Sequence, residues 1–486
     1  MNQANCLDSF DSYAEWLLFG GHIAALTRPD EPFANPPGTP KISRKRKKRS
    51  SKNDYSPADR ATSGFSTMYL FPHGTDSPLL NEESKRAKRF RRRFRVPYKM
   101  FRSICDDMTS TGTFVESTDA KGLPCIQLEL LVLASLRYLA SGCSFDLLEE
   151  LTCVDEETIR CFFHEKFCIW GVVAAEEHIK LPSDDDSLAH VMGLYAKLGL
   201  PGCVGSVDCV HVIWDKCKAG LKSACKGKEN DPTLAFEVVS SHTKRILSVS
   251  QYFFGATNDK TIARMDRAIV ELRSKNTFLG KIKWRSFDRS GGVRENQGGY
   301  FICDGGYHNW ECLIPPYKHQ IEGSEEAEWS HHIESMRKDV ECVFGILKKR
   351  FMFLKHPIRL HKPEHIQNIF VTCCVLHNLL LDYDGFDDWE RWNMAGEEDI
   401  EHTNLERWAI NRAANTNRTI LEGFTRSEAR RARPTNYAFG EEEGDQEDTR
   451  DERLLSEHEA LIQRRSILID HYKYLKSKRS IKYSLF

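Results

Sequence analysis

Apolar residues along this chain change their spacing twice, and each change marks a new kind of structure. Residues 28–83 keep no period at all; they are rich in Pro, Ser, Asp and Lys and are expected to be disordered. In KRAKRFRRRFRVPYKMF, residues 85–101, Phe90, Phe94, Tyr98 and Phe101 recur at helical spacing, which leaves the arginines on the wet face. LELLVLASLRYLASG, residues 128–142, reads as a helix closed by glycine. SFDLLEEL follows, then a short turn near Cys153 and Val154, then DEETIRCFFHEKF. Asp155 can cap that last helix, and Glu156 and Glu157 suit its first turn. Helix, short turn, helix is the outline of a helix-turn-helix, and equally of a plain helical scaffold. Its second helix is acidic at Glu156, Glu157 and Glu165, with only Arg160 and Lys166 basic.

From Gly202 the period shortens. GCVGSVDCVHVIW is β-branched and apolar and reads as a buried strand. TLAFEVVSSH and ILSVSQYFFG read as neighbouring strands, after a loop carrying Lys216, Lys218, Lys222, Lys226 and Lys228. NDKTIARMDRAIVELRSK is expected to be one helix, opened by Asn258 or Asp259. A Gly- and Arg-rich loop over about residues 280–298 then leads to the short strand in GGYFICDGGY. SHHIESMRKDVECVFGILKKRF gives a long helix with a core stripe of Ile333, Met336, Val340, Phe344, Leu347 and Phe351. Three strands, a helix, a further strand and a helix form a ribonuclease H-like order.

Composition narrows the class. The chain has 486 residues, enough for two or three domains, with 40% hydrophobic and 29% charged residues. A net charge of −1 hides segregation: basic clusters fill the N-terminal third and acidic ones the tail. Local positive patches are what nucleic acid responds to. KISRKRKKRSSK, residues 41–52, reads as a nuclear-import signal or a phosphate-binding arm. The sixteen cysteines include no CxxC pair, and Asp8, Asp11 and Glu15 interrupt the apolar N-terminal stretch, so reduced thiols in an intracellular protein are expected. No run is long and uncharged enough to span a membrane.

Three carboxylates carry the candidate chemistry. Asp208 lies within a buried strand, where an unpartnered charge is costly. Asp304 ends the strand FIC before Gly305 and Gly306, where chain reversal alone would also explain it. Glu341 flanks the core stripe of the long helix on one rim with Arg337 and Lys348, and a surface pair with Arg337 is its plain alternative. Two strand carboxylates and one helix carboxylate suit a two-metal site that cuts phosphodiesters, because Mg²⁺ takes hard oxygen ligands fixed on rigid elements. Asp259 is a helix cap or a further ligand. His211 and His377 read as structural.

GSVDCVH, FFGATNDKTI, CDGGY, RKDVECVFGILKKRF and CCVLHNLL, in that order, resemble the PIF/Harbinger class of DDE transposases over about residues 88–382. The resemblance implies a ribonuclease H-like nuclease with a catalytic triad at Asp208, Asp304 and Glu341, and with Asp259 near the metal. It implies two Mg²⁺ or Mn²⁺ ions, excision by hydrolysis at element ends, and insertion by attack of a 3′-hydroxyl on target DNA. It also implies a Myb/SANT-like partner that recognises the ends. The expected organisation is a disordered 1–83, a helix-turn-helix-like all-α domain over 84–200, an α/β ribonuclease H-like domain over 201–382, and a charged tail over 383–486. Lys222, Lys226, Lys228, Arg285 and Arg289 are the expected phosphate contacts, with Arg294 beside them. In the tail EEEGDQEDTRDE is expected to be disordered. RLLSEHEALIQRRSILIDHYKYLK is a helix with Leu454, His458, Leu461, Ile462, Ile469 and Tyr472 on one side, suited to a partner, to self-association or to docking on its own domain. The function expected is that of a nuclear, metal-dependent DNA endonuclease and strand transferase; the alternative is a transposase-derived DNA-binding or adaptor protein without catalysis.

Overall fold

The computed structural model describes residues 55–70, 77–115, 126–227, 230–318, 321–387 and 447–478. The basic run at 41–52 and Lys228 lie outside the described residues. The chain forms two compact units: one runs to Glu176 and takes in Arg350–His356 and Lys362–Cys373, and the other holds Glu177–Lys349, Pro357–His361 and residues from Cys374 on.

The first unit is helical: α1 (Pro57–Thr62), α2 (Lys85–Phe94), α3 (Tyr98–Ser110), α4 (Leu128–Ser141), α5 (Phe145–Thr152), α6 (Glu156–Phe162) and the start of α7 (Cys168–His178). Side-chain oxygens of Ser56, Ser84, Ser144 and Asp155 cap α1, α2, α5 and α6 by accepting from backbone N–H groups three residues on. Gly142 closes α4 in the left-handed conformation at φ 64°. Disorder up to residue 83 does not hold throughout: Phe65 and Tyr69 are buried edge-on against Phe94, with Tyr69 also edge-on to Phe90. Large aromatic area, rather than apolar periodicity, is what orders residues 55–70.

The second unit opens with α8 (Asp185–Lys197) and is built on a mixed sheet. Its strands are β1 (Cys203–Ile213), β2 (Thr233–Ser240), β3 (Ile246–Val249), β4 (Phe253–Phe254), β7 (Tyr300–Ile302) and β8 (Leu313–Ile314), with the short α9 (Lys222–Cys225) between β1 and β2. The order is β3-β2-β1-β7-β8, with β4 also on β2. β1, β2 and β3 are antiparallel; β7 runs parallel to β1, and β8 parallel to β7.

Four details depart from expectation. The expected single helix after Asn258 is two, α10 (Asp259–Met265) and α11 (Arg267–Arg273), because Asp266 leaves the helix (ψ 124°) to cap Ile269 N at 3.0 Å. After the short α12 (Phe278–Lys281), the expected loop is a hairpin of β5 (Lys283–Phe287) and β6 (Val293–Gln297). Trp284 and Ser286 on β5 face inward, and Asp288 holds the turn by accepting from Ser290 N and Gly292 N. The long helix α13 (Glu325–Arg350) starts earlier than expected, and Trp329 and Val343 join its buried face while Met336 and Phe344 are half-buried. After α14 (Pro363–Asp384), the final helix α15 (Glu447–Ser477) takes in the EDTRDE stretch expected to be disordered.

α15 docks on its own unit. Leu461, Leu468, Ile469, Tyr472 and Leu475 join the core, whereas Ile462 is exposed. Buried Arg464 donates to the carbonyls of Gln297 and Gly298, and His471 Nδ1 accepts from Phe287 N at 2.9 Å. Every described cysteine is a free thiol, and only Cys342 is exposed. Among the described residues no helix is long and apolar enough to cross a membrane.

Candidate active site

The sheet register does most of the positioning. β1 and β7 are parallel with Ser206 opposite Ile302; Asp208 lies two residues further along β1, and Asp304 lies two residues past the end of β7. The two chains diverge there because β7 ends at Ile302 and a turn through Gly305 and Gly306 follows. Asp304 Oδ1 accepts from Gly306 N at 2.7 Å, which orients its carboxylate over the turn. A Cβ at Gly306 would stand 3.0 Å from both Asp304 Oδ1 and Asp259 Oδ2, so these oxygens are no more than twice that distance apart. Glycine keeps this space open. Asn258, not Asp259, caps α10 by accepting from Thr261 N at 2.8 Å, which leaves the Asp259 carboxylate beside Asp304.

α13 brings the third carboxylate. Ser206 Oγ donates to the Arg337 carbonyl at 3.0 Å and fixes this stretch of helix against β1. Arg337 Nη1 then lies 3.3 Å from Asp208 Oδ2 and 2.8 Å from Glu341 Oε1. One guanidinium thus spans a strand carboxylate and a helix carboxylate. Burial pushes the Asp208 carboxyl up to about 6, and the nearby Asp304 and Glu341 carboxylates add to the shift. Arg337 and the hydrogen bond from Cys209 N oppose it.

No three His, Cys, Asp or Glu side chains among the described residues stand close enough together to hold an ion as arranged. What the residues do form is two pairs, Asp259 with Asp304 across Gly306 and Asp208 with Glu341 across Arg337. The donor set is all carboxylate oxygen, the kind that Mg²⁺ and Mn²⁺ take. In kind it fits such ions, with Arg337 standing between the second pair.

One carboxyl at this site went unread in the sequence. Glu237 on β2 is directly opposite Cys209, and it is 1% exposed. Its Oε2 accepts from Tyr307 Oη at 3.3 Å and from Cys209 Sγ at 3.4 Å. The signal was present: a lone acid in TLAFEVVSS, a segment otherwise fit for complete burial. The two histidines read as structural bond locally, His211 Nδ1 with Thr233 Oγ1 at 2.9 Å and His377 Nε2 with the Lys244 carbonyl at 2.8 Å.

Comparison with known proteins gives the same direction. Residues 177–387 match the family model described as plant transposon protein. A protein named ALP1-like from Arabidopsis thaliana is 23% identical over 305 residues, covering 61% of this chain and 71% of that protein. HARBI1 of Homo sapiens, described by its name as a candidate nuclease, is 24% identical over 285 residues, 56% of this chain and 74% of its own. HARBI1 of Rattus norvegicus is also 24% identical, but the match reaches only 57% of its length. These matches support a Harbinger-type, transposase-derived nuclease family as what the chain is similar to. No solved structure matches.

The expected phosphate contacts divide into two groups. Lys222 and Lys226 are exposed around α9. Arg285 instead pairs with Glu295 across the hairpin at 3.2 Å, and Arg289 bonds both Asp470 on α15 and Glu325 on α13, each at 2.7 Å. Arg294 shares Asp470 at 3.2 Å. The hairpin arginines are paired with the protein's own acids, whereas among the described residues no acid pairs with Lys222 or Lys226.

Proposed function

We propose that this protein is a divalent-metal-dependent DNA endonuclease and strand transferase, with a ribonuclease H-like second unit and Asp208, Asp304 and Glu341 as its catalytic carboxylates. The observation that supports this reading is that Asp208 and Asp304 each follow the Ser206–Ile302 register pair by two residues, together with Arg337, which bonds both Asp208 and Glu341. Three antiparallel strands followed by two parallel ones, with the acids on the first strand, after the fourth strand of the main order and on a later helix, support the fold reading.

Asp208, Asp304 and Glu341 would hold two Mg²⁺ or Mn²⁺ ions, with Asp259 as a further ligand. Such ions, when bound, supply a Lewis acid that makes a nucleophile of water or of a 3′-hydroxyl and steadies the leaving oxygen. The chain's own residues do the rest. Asp208 must be ionised to ligate, which its pKa of about 6 permits at neutral pH. Arg337 must give up its bridge between Asp208 and Glu341. Lys222 and Lys226 contact the DNA backbone and fix its register without reading sequence. No side chain is required as general base or covalent nucleophile.

Sequence reading would come from the helical first unit, as a helix-turn-helix, or from a Myb/SANT-like partner. The exposed Arg86, Arg89 and Arg92 of α2 add backbone contacts. A nuclear location follows from the basic run at 41–52 and from the substrate. The second reading, a DNA-binding adaptor without chemistry, draws support from Arg337 filling the gap between two of the acids. Cleavage of labelled element-end DNA in Mg²⁺ or Mn²⁺ separates the two: activity lost in Asp208→Ala, Asp304→Ala and Glu341→Ala supports the nuclease. Unaltered binding with no cleavage by the wild type supports the adaptor.

A further inference from the structure

Glu237 is hard to explain as a stabilising residue. It sits in a strand buried along its whole length, and its Oε1 has no hydrogen-bond partner among the described residues. A buried polar atom left unsatisfied costs free energy, and an apolar side chain of the same shape would serve the core as well or better. Burial holds its carboxyl well above the usual range, with Asp266 and Asp259 nearby adding to the effect. The backbone around it is well fixed: Glu237 N donates to Ser250 Oγ at 2.8 Å and Ser250 N to the Glu237 carbonyl at 2.9 Å. The side chain is therefore held in place, and its two bonds have an informative destination. Cys209 is the residue after Asp208 on β1, and Tyr307 closes the turn Asp304-Gly305-Gly306-Tyr307. Tyr307 is itself buried at 3% exposure, so its hydroxyl needs this partner.

We propose that Glu237 is a positioning residue of the metal site, tying the turn that presents Asp304 to the strand that presents Asp208. The inference rests on the reading of these acids as metal ligands. Without the tie, Tyr307 loses its side-chain hydrogen bond towards β1, and Asp304 loses its fixed distance from Asp208. Outer partners of metal ligands act in this way, and losing one weakens metal binding by about 10- to 100-fold. Glu237 needs no charge for the task. A carboxamide can accept the same two bonds.

The test is Mn²⁺ binding by the full-length protein, followed by electron paramagnetic resonance, with melting temperature recorded for each variant. Glu237→Ala and Tyr307→Phe are expected to weaken Mn²⁺ binding by about 10-fold or more, while Glu237→Gln stays within about twofold of wild type. Tyr307→Phe removes one hydroxyl and keeps the ring, so it carries the test even if Glu237→Ala fails to fold. Equal Mn²⁺ affinity in wild type and Tyr307→Phe would overturn the proposal, as would a Glu237→Ala that melts lower but binds Mn²⁺ normally. A Glu237→Gln as weak as Glu237→Ala would also overturn it, because the carboxylate would then be a ligand. If the wild type binds no more Mn²⁺ than Asp208→Ala, the metal-site reading fails first and this inference falls with it.

Discussion

Asp208, half-buried on β1, and Asp339, buried on α13, are both aspartates bonded to basic side chains, yet the protein treats them in opposite ways. Asp339 on α13 is 6% exposed and has two partners, His242 Nδ1 at 2.7 Å and the Lys244 ammonium at 2.6 Å. These partners outweigh the cost of burial and hold its carboxyl below the ordinary range. Asp208 has one shared guanidinium and two carboxylate neighbours, and its carboxyl rises to about 6. Two residues from Arg337 on the same helix, then, charge is fully complemented; at Asp208 it is left short of positive charge. The first arrangement serves stability. The second leaves Asp208 with less positive charge than its neighbours demand, the kind of imbalance that the proposed metal ions would relieve.

The sharpest break of this comparison is Asp208→Asn. DNA cleavage is expected to fall by about 10³-fold or more, roughly 4 kcal/mol of barrier, as measured under single-turnover conditions. The same variant should unfold at higher denaturant at pH 7, gaining about 2 to 3 kcal/mol, because an ionised carboxylate near its limit is removed. Asp339→Ala should do the reverse and cost about 3 kcal/mol or more, since it leaves Lys244 and His242 buried without their acid. Urea denaturation of both variants checks the two signs together.

Acidity sharpens the contrast. The Asp208 carboxyl is raised in the fold from 3.8 to about 6, so the fold gains relative stability as pH falls through that window. The advantage of Asp208→Asn over wild type should therefore be present at pH 7 and gone below about pH 4. The Asp339 carboxyl is lowered, so its stabilisation is present above 3.8 and lost as pH falls below that value. Unfolding measured from pH 7 to pH 3 should show the two differences shrinking in separate ranges.

The smallest effects concern DNA. Lys222→Ala and Lys226→Ala should each reduce the slope of log affinity against log salt by about 0.9. Arg289→Ala should leave that slope unchanged, because its guanidinium is already held by Asp470 and Glu325.

Much of the arrangement around Asp208 was legible in the sequence for physical reasons. A carboxylate in a β-branched run and a glycine pair after Asp304 are both costly for a plain core and so carry information. The short strands were less legible. β5 alternates Trp284 and Ser286 with Lys283, Arg285 and Phe287, and β6 is exposed along most of its length, which hides a hairpin inside an arginine-rich stretch. The break at Asp266 was hidden because a helix pattern continues across a residue that leaves the helix to cap the next one. The pattern of α15 gave its apolar face but not what that face covers, since amphipathicity is the same for a partner as for the chain's own core. Arg337 was visible only as a pair for Glu341; its second contact, to Asp208, depends on a strand 129 positions away.

A crystal soaked in Mn²⁺, with its anomalous scattering mapped, tests the central claim most directly. The account predicts density for manganese among Asp208, Asp304 and Glu341, with the Arg337 guanidinium withdrawn from between Asp208 and Glu341. A map without manganese there, with Arg337 still bridging the two acids, would contradict it.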